Sequence, residues 1–358
     1  MRKLLLTTTA LVAAGAISSA ALADGPSISG DFKWSFDQRD SGINVTGESG
    51  DRMYTEQNVT LSWVNKTDSG LEISMHKTLN NENAGGRSST TADDTVNNDE
   101  SAIKIKGGFG TIQLGNDDGA GDQLTRTAHD ILGTPDALHG DLPSFHRAKA
   151  TSGTTGNLGD DNADLPSDID DEANITYILP KMGGLTVGVS YRDAGSAATE
   201  NADETEFAGK FEFAAGEVSG ALHYGQHSQD GGSVGDQSLD ASSMAIDLTM
   251  GNIRAVYAQA KKDVAAPVAS NTPFETEITD FGVNYKINDG LNVAVVMTEV
   301  DENIGGETLD VTTVGASYTI ASGLTAHLTY HDYDYKAGSS GETNDDGSNT
   351  TLSIVAKF

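Results

Sequence analysis

The chain closes with "NTTLSIVAKF", residues 349–358. On an extended backbone Leu352, Ile354, Ala356 and Phe358 fall on one side, and Thr351, Ser353, Val355 and Lys357 on the other. A chain end frays unless something holds it. Strict alternation carried through to the last residue therefore reads as the final strand of a sheet that closes on itself.

The opposite end says where that sheet is made. Arg2 and Lys3 precede an apolar run from Leu4 to Ile17, and Ala21-Leu22-Ala23 supplies the small-x-small pattern of a signal-peptidase site. Thr7 to Thr9, Ser18 and Ser19 leave too few apolar residues for a spanning helix, which needs about 20 in a row. Residues 1–23 are thus expected to be a signal peptide cut near Ala23, with 24–358 the exported barrel domain.

Composition narrows the class. The chain has 53 acidic residues against 22 basic, a net charge of −31, and cleavage after Ala23 would remove two further positive charges. Nucleic acid is excluded as a partner by charge. There is no Cys, which excludes disulfides, thiolate metal sites and cysteine nucleophiles. Only 37% of residues are hydrophobic, yet there are 41 Gly, and the β-branched and aromatic residues come in short pieces. A barrel with a wet interior accommodates this better than a single dry core.

The alternation of the last stretch recurs along the chain. "SISGDFKWSF" places Ile28, Gly30, Phe32, Trp34 and Phe36 against Ser29, Asp31, Lys33 and Ser35. Segments of the same grammar, from "NVTLSWV" and "LEISMHK" to "LTAHLTYH", bring the total to about 16 strands, an even number that suits a large closed barrel. Tight Gly- and Asn-bearing turns at 68–70, 107–110, 181–184, 214–216, 250–252, 288–290 and 321–323 alternate with long polar loops. Short turns at one rim and long loops at the other predict an all-β, antiparallel transmembrane β-barrel, its apolar side chains toward lipid and its termini on the short-turn side. Pairing the last strand with the first removes both free edges. Phe281, Tyr285, Tyr318, Tyr330 and Phe358 suit aromatic girdles at the two interfaces. Arginine is accordingly expected to be costly at Val295 and tolerated at its neighbour Ala294.

One connection, residues 116–171, is out of proportion. Loops of such length without structure of their own are functional or disordered. Its first half carries Leu124, Ile131, Leu132, Leu138, Leu142 and Phe145, which could dock on a wall; 153–171 reads as an acidic flap.

At this point a resemblance becomes specific. The export signal, "GFGTIQLGNDDGAGDQL" (108–124), the long loop, "ANITYILPKMGGLTVGVSYRD" (173–193) and the terminal Phe358 resemble the general porins of Gram-negative bacteria, particularly the alphaproteobacterial branch. The resemblance implies an outer-membrane homotrimer of 16-stranded barrels, surrounded by lipid and lipopolysaccharide. It implies that the third extracellular loop folds inward to narrow each pore. It also implies passive diffusion of small hydrophilic solutes, and that the outer-membrane assembly machinery reads Phe358.

In such a pore, loop acids facing wall bases order water and filter ions. The loop candidates are Asp117, Asp118, Asp122 and Asp130; the wall candidates are Lys33, His76, Lys104, Arg192 and Arg254, with Lys106 close to a turn. The acidic excess predicts moderate cation selectivity. "NDDGAGD" also offers Asp117, Asp118 and Asp122 as oxygen ligands for Ca²⁺, although the spacing is not that of an EF-hand; no other cofactor is expected. Alternatives are a substrate-specific channel, a barrel enzyme and an acidic secreted β-rich surface protein. Enzyme signatures are poor: Gly119 and Gly121 lack the third glycine and the βαβ setting of a dinucleotide site, and no phosphate-binding loop or HExxH motif occurs.

Overall fold

A computed structural model describes residues 25–41, 51–83, 96–133, 169, 173–193, 203–229, 238–265, 274–303, 306–338 and 344–358. The expected signal peptide lies outside them. Sixteen strands follow in order: β1 (Ser27–Ser41), β2 (Arg52–Lys66), β3 (Glu72–Asn83), β4 (Asn97–Gly107), β5 (Gly110–Asn116), β6 (Ala173–Ile178), β7 (Leu185–Arg192), β8 (Glu204–Ala215), β9 (Val218–Gln229), β10 (Leu239–Met250), β11 (Ile253–Val264), β12 (Phe274–Asn288), β13 (Leu291–Glu302), β14 (Glu307–Ala321), β15 (Leu324–Lys336) and β16 (Asp345–Lys357). Each pairs antiparallel with its sequence neighbours, and β16 pairs with β1, so the sheet is a closed barrel.

Closure depends on the terminal stretch. The β1–β16 ladder runs from Asp31 opposite Lys357 to Ser41 opposite Gly347. Phe358 extends it by one step, donating its N–H to the Gly30 carbonyl at 3.0 Å and accepting the Gly30 N–H at 3.2 Å. Its ring lies where a side chain on Gly30 would stand, since a Cβ there would sit 2.9 Å from Phe358 Cζ. Inside the barrel the same seam is stitched by the Ser35 and Ser353 hydroxyls at 2.8 Å and by Thr351 donating to Asp37 at 3.0 Å.

All seven tight turns join the expected strand pairs, and Gly216 and Gly251 take φ of 64° and 57°, the left-handed values such turns require. On the other rim one connection is far shorter than expected: only residues 303–306 separate β13 from β14. The alternation sets the faces as expected: Val295, Phe281, Tyr285, Tyr318 and Tyr330 all point outward, with relative exposures of 40–54%.

Several strands run on past the apolar belt, and there the phase of the alternation reverses. In β13 to β15 the outward positions become Glu299, Asp301, Asp310, Asp332 and Asp334, all exposed. The inward positions become Val300, Leu309, Val311, Tyr333 and Tyr335, which cluster with Ile278 and Ala260. Period two persists because the hydrogen-bond ladder does. What each face prefers changes when the outside is water rather than an apolar medium.

Candidate functional site

Residues 117–133 do not leave the barrel but cross its inner wall. Asn116 ends β5, and the chain forms a short helix α1 (Ala120–Leu124) and a single 3-10 turn (His129–Ile131). α1 packs against β7, β8 and β9, and the 3-10 turn against β11 and β12. Leu124 touches Ala208, while Ile131 and Leu132 pack with Val256, Ala294 and Val296. In a water-filled lumen this burial is favourable by about 1.5–3 kcal/mol per large apolar side chain. The wall makes room for it. A Cβ on Gly225 would meet Thr125 Cγ2 at 2.5 Å, one on Gly282 would meet Ile131 Cδ1 at 2.7 Å, and one on Gly188 would meet Ala120 Cβ at 2.9 Å. These small inward residues are a seat for the loop. Ala294, expected to tolerate arginine as a lumen position, is only 2% exposed beneath this segment, so that expectation is corrected: the position faces inward but is occupied.

Polar side chains of successive strands secure the segment. Gln113 of β5 and Asn174 of β6 donate to the Asp118 and Asp117 carbonyls at 2.8 and 2.5 Å. Ser190 Oγ of β7 accepts the Ala120 N–H at 2.6 Å. His223 Nδ1 of β9 lies 2.7 Å from the Leu124 carbonyl, and Asn284 of β12 donates to the Ile131 carbonyl at 2.8 Å. The buried Glu206 of β8 accepts the N–H of Gly121 at 3.1 Å through one oxygen and that of Ile169 at 2.5 Å through the other. Gly119 N–H also reaches the Ile169 carbonyl at 3.0 Å. Glu206 is thus a clasp joining the departing and returning ends of the long loop. Leu138, Leu142 and Phe145 lie outside the described residues.

The loop acids are placed differently from one another. Asp117 is buried, with Oδ2 2.8 Å from Lys104 Nζ and 3.4 Å from His76 Nε2. Asp118 is half-buried beside it, and Asp122 is exposed on α1. Asp130 accepts the Thr127 N–H at 2.8 Å and pairs with Arg126 at 3.2 Å. Of the expected wall bases, Lys104 and His76 lie within ion-pair distance of a loop acid, Asp117. Lys33 pairs with Glu56 at 2.5 Å, Arg192 with Glu204 at 3.1 Å, and Arg254 with Asp247 at 2.5 Å. Gly133 lines a cavity of about 600 Å³ together with Lys33, Glu56, His327 and Lys357.

The sequence reading missed the paired acids Glu56, Glu204 and Asp247, the clasp Glu206 and the loop base Arg126. Two pairings carry a cross-strand signal. Lys33 stands directly opposite Glu56, and Arg192 directly opposite Glu204, but both hairpins are joined by long loops that hide the register. Asp247 and Arg254 flank a tight turn, and counting outward from it places them on one diagonal.

Known structures share this architecture. A tryptophan-bearing mutant of Rh. blastica porin superposes with a TM-score of 0.62 at 11% identity, covering 93% of this chain and 100% of that one. A triple mutant of Rhodopseudomonas blastica porin gives 0.63 at 13% identity with the same coverage. At such identity the likeness speaks for the fold. No curated protein sequence matches the chain. The family model for Gram-negative porins matches residues 7–358, so the chain belongs to that family, and it is a channel of the outer membrane for passive diffusion.

Proposed function

We propose that this porin works as a homotrimer of moderately cation-selective channels, each narrowed by the segment 116–133, for small hydrophilic solutes and ions. The observation that carries the ionic part is the pairing of the wall. Lys33, Lys104, Arg192 and Arg254 each lie within salt-bridge distance of a carboxylate, so the positive charge of these four wall bases is locally balanced. The chain's net charge of −31 then sets the sign of the potential over the mouth and lumen. The trimer is proposed from family membership. So is export with residues 1–23 removed, a lipid and lipopolysaccharide surround, and recognition of Phe358 by the assembly machinery.

Reversal potentials of single channels in a KCl gradient test the ionic part. Cation preference is expected, weakening as salt rises and the Debye length falls from about 10 Å at 0.1 M to about 3 Å at 1 M. Anion preference at low salt would overturn it. Asp117→Asn with Asp118→Asn and Asp122→Asn should shift the potential toward anions while barrels still assemble.

A further inference from the structure

Where the loop leaves β5, its first acid meets two inward side chains of neighbouring strands. His76 of β3 stands opposite Ala102 of β4, and Glu100 lies two residues before Ala102, on the same inner face. His76 Nε2 is 3.6 Å from Glu100 Oε2 and 3.4 Å from Asp117 Oδ2. Among the described residues this is the one group of three metal-capable side chains whose ligand atoms all lie within 4.8 Å of one another. Asp118 and Asp122, expected alongside Asp117 as calcium ligands, are not in it. We propose that His76, Glu100 and Asp117 form a binding site in the channel wall for a divalent cation of the zinc class.

Three observations support the assignment. Bonds of about 2.0–2.2 Å in tetrahedral array put ligand atoms about 3.3–3.6 Å apart, which matches the two His76 distances. Asp117 Oδ2 is buried and faces both His76 Nε2 at 3.4 Å and the Lys104 ammonium at 2.8 Å, while Oδ1 is fixed by the Asp118 N–H at 3.0 Å, so the carboxylate is oriented with one oxygen turned to a place where a cation already sits. Glu100 Oε2 in turn accepts from Thr78 Oγ1 at 3.3 Å, the kind of outer contact that orients a ligand. The site opens to the lumen, since the Glu100 side chain is 33% exposed, leaving a fourth position for water. An imidazole with only two carboxylates suits zinc, cobalt or nickel and not Ca²⁺, which takes six to eight oxygens. Lys104 is the resident competitor: its ammonium contacts Asp117 Oδ2, and its side chain is 35% exposed, so it can swing into the lumen when a metal takes its place. Binding would then add two positive charges at the constriction.

The test is zinc chloride added to single wild-type channels. Micromolar Zn²⁺ should lower conductance and move the reversal potential toward anions, while the same concentration of Ca²⁺ leaves both unchanged. His76→Gln should weaken the zinc response by about tenfold or more. Lys104→Gln should strengthen it, because the competing cation is gone. Purified barrels in detergent should give the visible absorption of tetrahedral Co²⁺, lost in Glu100→Gln; this readout requires only folded protein and separates the metal proposal from the sign of ion selectivity. Insensitivity of the wild type to millimolar Zn²⁺, an unchanged response in His76→Gln, a weaker one in Lys104→Gln, or an equal effect of Ca²⁺ would each overturn it.

Discussion

From β7 to β13 the inward positions include Gly188, Ala208, Gly225, Gly282 and Ala294, whereas across β1 to β4 they include Lys33, Ser35, Glu56, His76 and Lys104. Both halves alternate with period two, and both belong to the face turned away from lipid. The first half carries a loop on small inward residues, whereas the second carries charged and polar side chains that pair with carboxylates, His76 and Lys104 with Asp117 of the loop and Lys33 with Glu56. The comparison teaches that an inward face has two possible uses, and that small apolar residues mark the one on which another segment is packed. A position read as lumen because its neighbours face lipid can be packed as tightly as any core.

The largest effect should come from putting bulk and charge on the seat. Ala294→Arg is expected to force Ile131 and Leu132 off the wall, giving barrels that assemble but conduct more and with more noise. Val295→Arg, one residue away and outward, should instead cost about 2–4 kcal/mol of barrel stability if it lies near the bilayer midplane, with conductance unchanged in the barrels that form. Denaturant unfolding in lipid, with single-channel recording alongside, separates the two. Equal loss of stability at both would merge the two faces and break the comparison.

Glu206 comes next. In Glu206→Ala the buried N–H groups of Gly121 and Ile169 lose their acceptor, at about 1–3 kcal/mol each. Both ends of the long loop should loosen, with proteolysis of the loop speeding up and channel noise rising. Glu206→Gln keeps one acceptor oxygen and should fall between the two. Deleting Phe358 should act elsewhere: less folded protein reaches the outer membrane, while the channels that form conduct normally. Altered conductance with normal assembly would reverse that assignment.

Much of this was legible in the residues. Tight turns such as 250–252 and 288–290 announce themselves through glycine chemistry, and each fixes the register of its own hairpin. Val293, Val295 and Met297 show their face because lipid demands apolar contact at every second position. The phase reversal at Glu299 and Asp301 is written in the sequence too, but it reads as the end of a strand when only one phase is expected. Harder to see were contacts that depend on register across long loops, as between Lys33 and Glu56 or Arg192 and Glu204. The seat was hidden for another reason: Gly188, Gly225 and Gly282 are unremarkable as inward glycines until the segment that fills the space above them is known.

The most direct measurement is the single-channel conductance of Gly282→Leu beside the wild type. The added side chain would have to pass through Ile131 Cδ1, which stands 2.7 Å from the first carbon, and the Ala128 carbonyl at 3.1 Å. If the loop seated on small residues sets the narrowest passage, Gly282→Leu should form barrels of normal heat stability whose conductance is larger and noisier than the wild type. Unchanged conductance in such barrels would contradict that claim and would place the constriction somewhere other than the segment packed on β12.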